Sequence, residues 1–242
     1  MPAPPSPLPV PVTVGHGPPM VLVPGYATRP RTYLRTAQRL APRARVAIPD
    51  IFALPGRWDY LSVLGAFSST VDRLSRGPVT LLAHSFGGAV ALGFAARHPR
   101  RVERLVLADT LAVSREWQLA HEATSHPLAL LRMATPTSAL DFFASWLAHP
   151  RQLLGAAWWG FLSGRQEEIA AVAAAGVRTH VLWASRDSLV SREDGARFAA
   201  ELGASFTVAS GSENPVDHDW VFRHPDMFVE HLDRVLATAT PA

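Results

Sequence analysis

The segment Leu81-Leu82-Ala83-His84-Ser85-Phe86-Gly87-Gly88 sets a serine between an apolar run and a run of small residues. A strand that turns abruptly into a helix leaves the side chain at the turn open to a reactant. Small residues two before and two after it, here Ala83 and Gly87, let strand and helix approach. The helix also aims its N-terminal dipole and free N–H groups at the turn, which favours negative charge developing beside Ser85. The chemistry this pattern suggests is nucleophilic attack by a hydroxyl oxygen. A serine that merely caps the helix beginning at Gly87 is the plainer alternative. Cysteine is absent and all 23 basic residues are arginine. A thiolate nucleophile, a disulfide framework, a Schiff-base or phosphate-loop lysine and a Ser-Lys dyad are therefore excluded.

A serine nucleophile needs a base, and the base needs a group to orient it. His218 lies in Val216-Asp217-His218-Asp219-Trp220, in a loop ahead of the last helix, whose first turn suits Pro225. His224 is its rival, although its place beside that helix start suits capping or the surface. Asp187 lies in Leu182-Trp183-Ala184-Ser185-Arg186-Asp187-Ser188-Leu189-Val190, just past an apolar run, and precedes His218 by 31 residues, enough for one helix and one strand. An Asx-turn or a helix cap would also explain Asp187. Asp109, in Leu107-Ala108-Asp109-Thr110, is a second acid at a strand end.

The elements that would carry these groups alternate along the chain. Val10 to Val14 reads as an edge strand, Met20 to Val23 as a buried strand stopping at Pro24-Gly25, and Thr32 to Leu40 as a helix. Strands follow at Arg45 to Pro49, Val79 to Ala83 and Val102 to Leu107, with helices at Leu61 to Leu74 and Gly87 to Arg97 between them. After residue 164 the rhythm resumes: helix Gln166 to Ala175, strand Thr179 to Ala184, helix Arg192 to Leu202, strand Ser205 to Ala209 and helix Pro225 to Leu236. Near-continuous apolar strands alternating with helices predict an α/β fold, a mostly parallel central sheet covered by helices on both faces. Residues 111–164 break the pattern with helical character, aromatic clusters and no strand, and read as an inserted helical cap. The expected organisation is a proline-rich lead over 1–19, a core from 20–110 and 165–242, and the cap over 111–164.

With Ser85 at such a junction, the chain resembles the α/β-hydrolase family, whose common form at this point is Gly-x-Ser-x-Gly; Ala83 stands here for the first glycine. The resemblance implies the α/β-hydrolase fold and a triad in the order Ser85, Asp187, His218. In the family the histidine sits at the place of His218, usually after a glycine that is Asp217 here, and some members place the acid where Asp109 stands. Neutral His218 would accept the Ser85 proton, while Asp187 fixes its tautomer and stabilises the imidazolium. The oxyanion hole would use the backbone N–H groups of Phe86 and of Tyr26, in Val23-Pro24-Gly25-Tyr26, where the family commonly has His-Gly. Gly25 serves equally well as a tight-turn glycine.

The expected reaction is hydrolysis of a small-molecule carboxylic ester, or thioester, of an apolar acyl group through an acyl-enzyme. Carbon–carbon bond hydrolases and cofactor-free perhydrolases share the same triad, and a non-catalytic binding protein on this fold is the other alternative. Trp117, Phe142, Phe143, Trp146, Trp158, Trp159 and Phe161 fall in the expected cap, which suits an apolar pocket. Trp146, Trp158 and Trp159 are the substrate-binding candidates, though the spacing of Phe142, Phe143 and Trp146 also suits glue between cap and core. Arg115, Arg132, Arg151 and Arg165 would greet an anionic acyl carrier protein, an expectation diluted by Glu116, Glu122 and Asp141.

Composition bounds the rest. At 242 residues and 48% hydrophobic, the chain suits a single larger domain. A formal net charge of +3 with arginines scattered throughout argues against nucleic acid, which needs positive charge gathered on one face. The histidines lack paired metal-ligand spacing, and no Gly-x-Gly-x-x-Gly follows the first strand, so neither metal nor cofactor is expected. No apolar run approaches the roughly 18 residues of a membrane span. The lead to Pro19 holds eight prolines and no charged side chain, unlike a signal peptide, so cytoplasmic residence is the default expectation.

Overall fold

The computed structural model describes residues 8–110, 135–209 and 215–238. Its first half runs β1 (Val12–Val14), β2 (Pro19–Val23), α1 (Leu34–Leu40), β3 (Arg45–Ile48), α2 (Tyr60–Leu74), β4 (Val79–His84), α3 (Gly87–Arg97) and β5 (Val102–Ala108). Then come α4 (Pro136–Ala148), α5 (Pro150–Leu162), α6 (Gln166–Ala174), β6 (Thr179–Ala184), α7 (Arg192–Leu202), β7 (Ser205–Ala209), α8 (Trp220–Arg223) and α9 (Pro225–Thr238). The seven strands form one sheet in the order β1-β3-β2-β4-β5-β6-β7. Among the described residues only β1 is antiparallel, lying along β3. This is the mostly parallel sheet, covered by helices on both faces, that the alternation predicts, and its strand order is the one that the resemblance to the α/β-hydrolase family implies.

The sheet is buried on both faces because its strands are apolar on both. Along β4, Leu81 and Ala83 join a layer with Val63, Phe67, Val90 and Phe94, whereas Leu82 joins the opposite layer with Ala37, Phe228 and Leu232. Burying each such side chain contributes about 1.5–3 kcal/mol. An exposed ion pair such as Arg39–Asp226 contributes about 0–1 kcal/mol, so the two apolar layers hold the domain.

The chain winds outward in opposite directions from β2 and β4, which lie side by side with Val23 paired to Ala83. A crevice therefore opens at their carboxyl ends, where loops from both strands meet. Packing draws the loops together: a Cβ on Gly87 would lie 2.5 Å from the carbonyl oxygens of both Val23 and Pro24. Only glycine lets α3 begin this close to the end of β2.

Helix ends follow local chemistry. Asp59 caps α2 through the Ser62 N–H at 2.8 Å, Ser191 caps α7 through the Asp194 N–H at 3.1 Å, and Gly203 closes α7 at φ 62°. Helix α8, which the sequence pattern does not predict, is a single turn too short to show a period. The helix expected over Thr32 to Leu40 is two elements: Pro30–Tyr33 is a 3-10 turn and α1 starts only at Leu34.

Helices α4 and α5 occupy the stretch of chain between β5 and β6 where the insertion is expected. Trp117, Arg115, Arg132, Glu116 and Glu122 lie outside the described residues, as does the side chain of Phe161. Thr135 and Ser138 form a capping box at the start of α4, with Pro136 in its first turn. Arg29 and Arg31, just after β2, hold the helix. Arg29 donates to Ser145 Oγ at 3.1 Å and to the Ala144 carbonyl at 2.8 Å, and Arg31 pairs with buried Asp141 at 3.0 Å. Helix α5 is fastened by Tyr26 Oη, which donates to the Leu153 carbonyl at 2.9 Å.

The close approach at Gly87 yields a stability test. Gly87→Ala should destabilise the fold by about 1–3 kcal/mol, the usual cost of overpacking against fixed neighbours. Gly77→Ala, whose Cβ would meet nothing nearer than Ser75 Oγ at 3.8 Å, should stay within about 0.5 kcal/mol of wild type in urea unfolding.

Candidate active site

Ser85 stands at the carboxyl end of β4 with φ 51°, a left-handed backbone that a side-chain-bearing residue adopts at a cost of about 1–3 kcal/mol. Its N–H continues the sheet ladder by donating to the Ala108 carbonyl at 2.9 Å, and its own carbonyl accepts from Gly88 N at 2.9 Å as α3 begins. The reversal turns the hydroxyl toward the loop before α8. There His218 Nε2 lies 2.9 Å from Ser85 Oγ, and His218 Nδ1 lies 2.8 Å from Asp187 Oδ2.

The donors along this chain follow from chemistry. A carboxylate only accepts, so in the neutral ring Nδ1 carries the proton, and Nε2 is left to accept from the Ser85 hydroxyl. The other oxygen of Asp187 accepts the Leu189 and Val190 N–H groups, each at 2.8 Å, which fixes the carboxylate in its loop. Burial pushes the Asp187 carboxyl up, but the His218 charge and these hydrogen bonds outweigh it and hold the group below the usual carboxylate range. For His218, burial opposes the charged form, yet Asp187, with help from Asp109 and Asp217, carries its pKa up to about 9.

Asp217 occupies the position where the family usually has glycine, and the reason for a tolerated aspartate lies in its side chain. Its backbone is not among the left-handed non-glycine residues, which are Ala27, Ser85 and Asp109 within the described chain. Instead Oδ1 accepts from His218 N at 2.7 Å and from both N and Oγ of Ser188 at 2.8 Å. The carboxylate thus ties the histidine loop to the loop of Asp187.

Asp109 does not reach His218. It is fully buried at φ 47°, with Oδ1 accepting from Ala184 N at 2.6 Å and Oδ2 from Trp220 Nε1 at 2.5 Å. Burial, reinforced by the Asp187 carboxylate, pushes its carboxyl well above the usual range. The geometry therefore pairs His218 with Asp187 and makes Asp109 a brace between β6 and α8. His224 is exposed and caps α8 through its backbone.

On the other side of Ser85, Gly25 N–H donates to Tyr33 Oη at 3.0 Å. A Cβ on Gly25 would lie 3.3 Å from that of Ser85, so the glycine serves close approach at a negative φ. Among the described residues, neither Tyr26 N–H nor Phe86 N–H donates to a protein acceptor. Phe86, Tyr26, Phe52, Trp58 and Trp159 form a connected set of rings, with Trp58 and Trp159 centred 5.4 and 5.8 Å from Phe86. Phe52 and Trp58 escaped the sequence reading because they precede α2, outside the expected cap.

Two cap expectations change. Trp158 is 72% exposed, whereas Trp159, the next residue, packs on Phe86, Trp58 and Tyr60; neighbours on a helix point in different directions. Trp146 is half-buried against Phe142 and the core layer that includes Phe86. Arg165 is not open to a carrier: it is buried, pairs with Glu168 at 3.4 Å and stacks 4.0 Å above the Trp159 ring.

These assignments predict that Asp187→Asn lowers kcat by about 10³–10⁴ through loss of the correct tautomer, while its melting temperature changes little, because the His218 ring can move its proton to Nε2 and accept the new amide N–H on Nδ1. Asp109→Asn should do the reverse, losing stability because an amide cannot accept on both sides, yet keeping kcat within about tenfold. A His218 that acts as base must be deprotonated, so its raised pKa would place activity on the alkaline side. The kcat/KM profile of the wild type should rise through a pKa above 6.5 and toward about 9, and that limb should move to lower pH in Asp187→Asn.

Comparison with known proteins agrees with the architecture. The chain is 34% identical over 131 residues to the lipase LipV of Mycobacterium tuberculosis, covering 51% of this chain and 49% of that one. It is 35% identical over 113 residues to a 2-hydroxy-6-oxo-2,4-heptadienoate hydrolase of Pseudomonas putida, covering 43% and 41%. The aligned stretch thus spans about half or less of these curated relatives. A bromoperoxidase structure from Bacillus anthracis superposes with TM-score 0.76 at 15% identity over 93% of this chain and 94% of that one, a likeness of fold alone. A family model described as the alpha/beta hydrolase fold matches residues 18–143, more than half of the chain, and with the sheet order and the turn at Ser85 this establishes that the protein belongs to the α/β-hydrolase fold family.

Proposed function

We propose that the protein is a serine hydrolase that cleaves a carboxylic ester or thioester of an apolar acyl group through an acyl-enzyme on Ser85. The observation that carries this reading is the unbroken chain Ser85 Oγ, His218 Nε2, His218 Nδ1, Asp187 Oδ2, with contacts of 2.9 and 2.8 Å, on a serine held in a left-handed turn. Neutral His218 takes the hydroxyl proton as Ser85 attacks the acyl carbon, and Asp187 stabilises the imidazolium that forms. The proton passes to the departing alcohol or thiol. Water then attacks the acyl-enzyme by the same route, with His218 again as base.

Charge on the tetrahedral intermediate would fall to the amides of Phe86 and Tyr26. The Phe86 amide sits at the start of α3, where the helix dipole adds to the hydrogen bond, and Gly25 N–H is already taken by Tyr33. Tyr26, Phe52, Trp58, Phe86 and Trp159 supply an apolar wall beside Ser85, with α4 and α5 acting as the cap over it. Metal and organic cofactors have no part in this mechanism. The substrate is a small molecule, and no helix among the described residues is long and apolar enough to cross a membrane. Similarity to the 2-hydroxy-6-oxo-2,4-heptadienoate hydrolase favours carbon–carbon bond cleavage on the same triad as the second reading.

Fluorophosphonate labelling, run beside a series of para-nitrophenyl esters from acetate to palmitate and acyl-CoA thioesters, tests the proposal. The label should attach to Ser85, and Ser85→Ala should lose both labelling and turnover, the latter by about 10⁴–10⁶. Labelling at another residue, or none, would contradict it; labelling of Ser85 with every ester and thioester untouched would favour the second reading. Trp159→Ala should lower hydrolysis of long acyl chains more than that of acetate, because only a long chain needs the wall. Trp158→Ala, on the exposed side of α5, should leave the chain-length profile unchanged.

A further inference from the structure

His84, the residue before Ser85, is buried and makes two hydrogen bonds that lie outside the triad. Its Nε2 is 2.8 Å from the backbone carbonyl oxygen of His218, and its Nδ1 is 2.7 Å from Tyr33 Oη. A carbonyl can only accept, so the neutral ring carries its proton on Nε2 and Nδ1 accepts from the Tyr33 hydroxyl. Tyr33 Oη in turn accepts the Gly25 N–H at 3.0 Å.

The bonds therefore run in a single direction. Gly25 N–H donates to Tyr33, Tyr33 O–H to His84, and His84 Nε2–H to the His218 carbonyl. The path begins in the loop that bears the Tyr26 amide, crosses the strand end beneath Ser85, and ends on the backbone of the base. We infer that His84 and Tyr33 are positioning residues, which hold the Tyr26 loop and the His218 loop in register with the strand end that carries Ser85. This rests on the reading of Ser85 as nucleophile, His218 as base and Tyr26 N–H as an oxyanion donor.

Electrostatics keeps the path in one protonation state. Burial, joined by the nearby charge of His218, holds His84 down to about 3, and burial pushes the Tyr33 hydroxyl up to about 12. Neither group titrates in the range where an esterase works. The His84 ring lies 4.9 Å from that of His218, close enough that a charge there would compete with the imidazolium formed in catalysis. Packing alone would accept an apolar ring or a leucine at this site. It gives no reason for each donor to meet an acceptor.

The test separates hydrogen bonding from space filling. Tyr33→Phe, His84→Leu and His84→Gln are compared with wild type on one para-nitrophenyl ester, with melting temperature measured for each. Glutamine can donate its amide N–H to the His218 carbonyl and accept from Tyr33 on its oxygen. Tyr33→Phe and His84→Leu should lower kcat by about 10- to 100-fold, the scale of an ångström's misplacement, with KM changed by less than about twofold. His84→Gln should recover most of the loss. A His84→Leu enzyme as active as wild type, a rise in KM at constant kcat, or a failure of His84→Gln to exceed His84→Leu would overturn the inference. If wild type itself neither turned over substrate nor took the phosphonate label, the reading of Ser85 would fall and this inference with it.

Discussion

The left-handed turn at Ser85 is the constraint around which the rest of the site is arranged. Within the described chain, the non-glycine residues with positive φ are Ala27, Ser85 and Asp109, and they follow β2, β4 and β5, neighbouring strands of the sheet. Each such residue costs about 1–3 kcal/mol, so the surroundings must over-determine it. For Ser85 they do so with a ladder hydrogen bond to Ala108, with Gly87 seated against the backbone of Val23 and Pro24, and with Gly88 against Thr110, whose side chain leaves no room for a Cβ. Relaxing any of these would move the hydroxyl away from His218. The two apolar layers of the sheet offset the strain of the turn, and the turn directs the Ser85 hydroxyl toward His218.

The two acids near His218 show how environment separates similar groups. Asp187 faces donors that favour its charge: two backbone N–H groups on one oxygen and the imidazole on the other. Asp109 is enclosed by the sheet and Trp220, and both burial and the Asp187 charge disfavour its ionised form. Opposite shifts in neighbouring carboxyls give them different work, one electrostatic and one structural. Asp217 adds a third use, since its carboxylate gathers the amides of His218 and Ser188 and binds the His218 and Asp187 loops to each other.

Much of this was legible in the chain because it is local. Apolar strands alternating with helices announced the parallel sheet, and Ala83-His84-Ser85-Phe86-Gly87 announced the turn, since a sharp strand-to-helix reversal demands small residues at fixed offsets. What escaped depends on contacts distant in sequence. Asp109 and Asp187 both stand past strand ends, and only the position of Trp220 and Ala184 reveals that Asp109 is already engaged. Trp158 and Trp159 look alike as a pair, but the direction of α5 sends one outward and the other onto Phe86. Arg165 reads as a free cation until Trp159 and Glu168 are seen to enclose it. Asp217 departs from a glycine consensus, and its side-chain role cannot be read without the loop it contacts.

Under the proposed mechanism hydrolysis passes through one acyl-enzyme, and partitioning of that intermediate reveals it directly. Esters of a single acid with several different alcohols would be hydrolysed in water containing methanol, and the ratio of methyl ester to free acid measured for each. A common acyl-enzyme predicts one ratio for all of them, because the leaving alcohol has departed before water and methanol compete. A ratio that changed with the leaving alcohol would mean that water attacks the substrate itself, and would contradict the account.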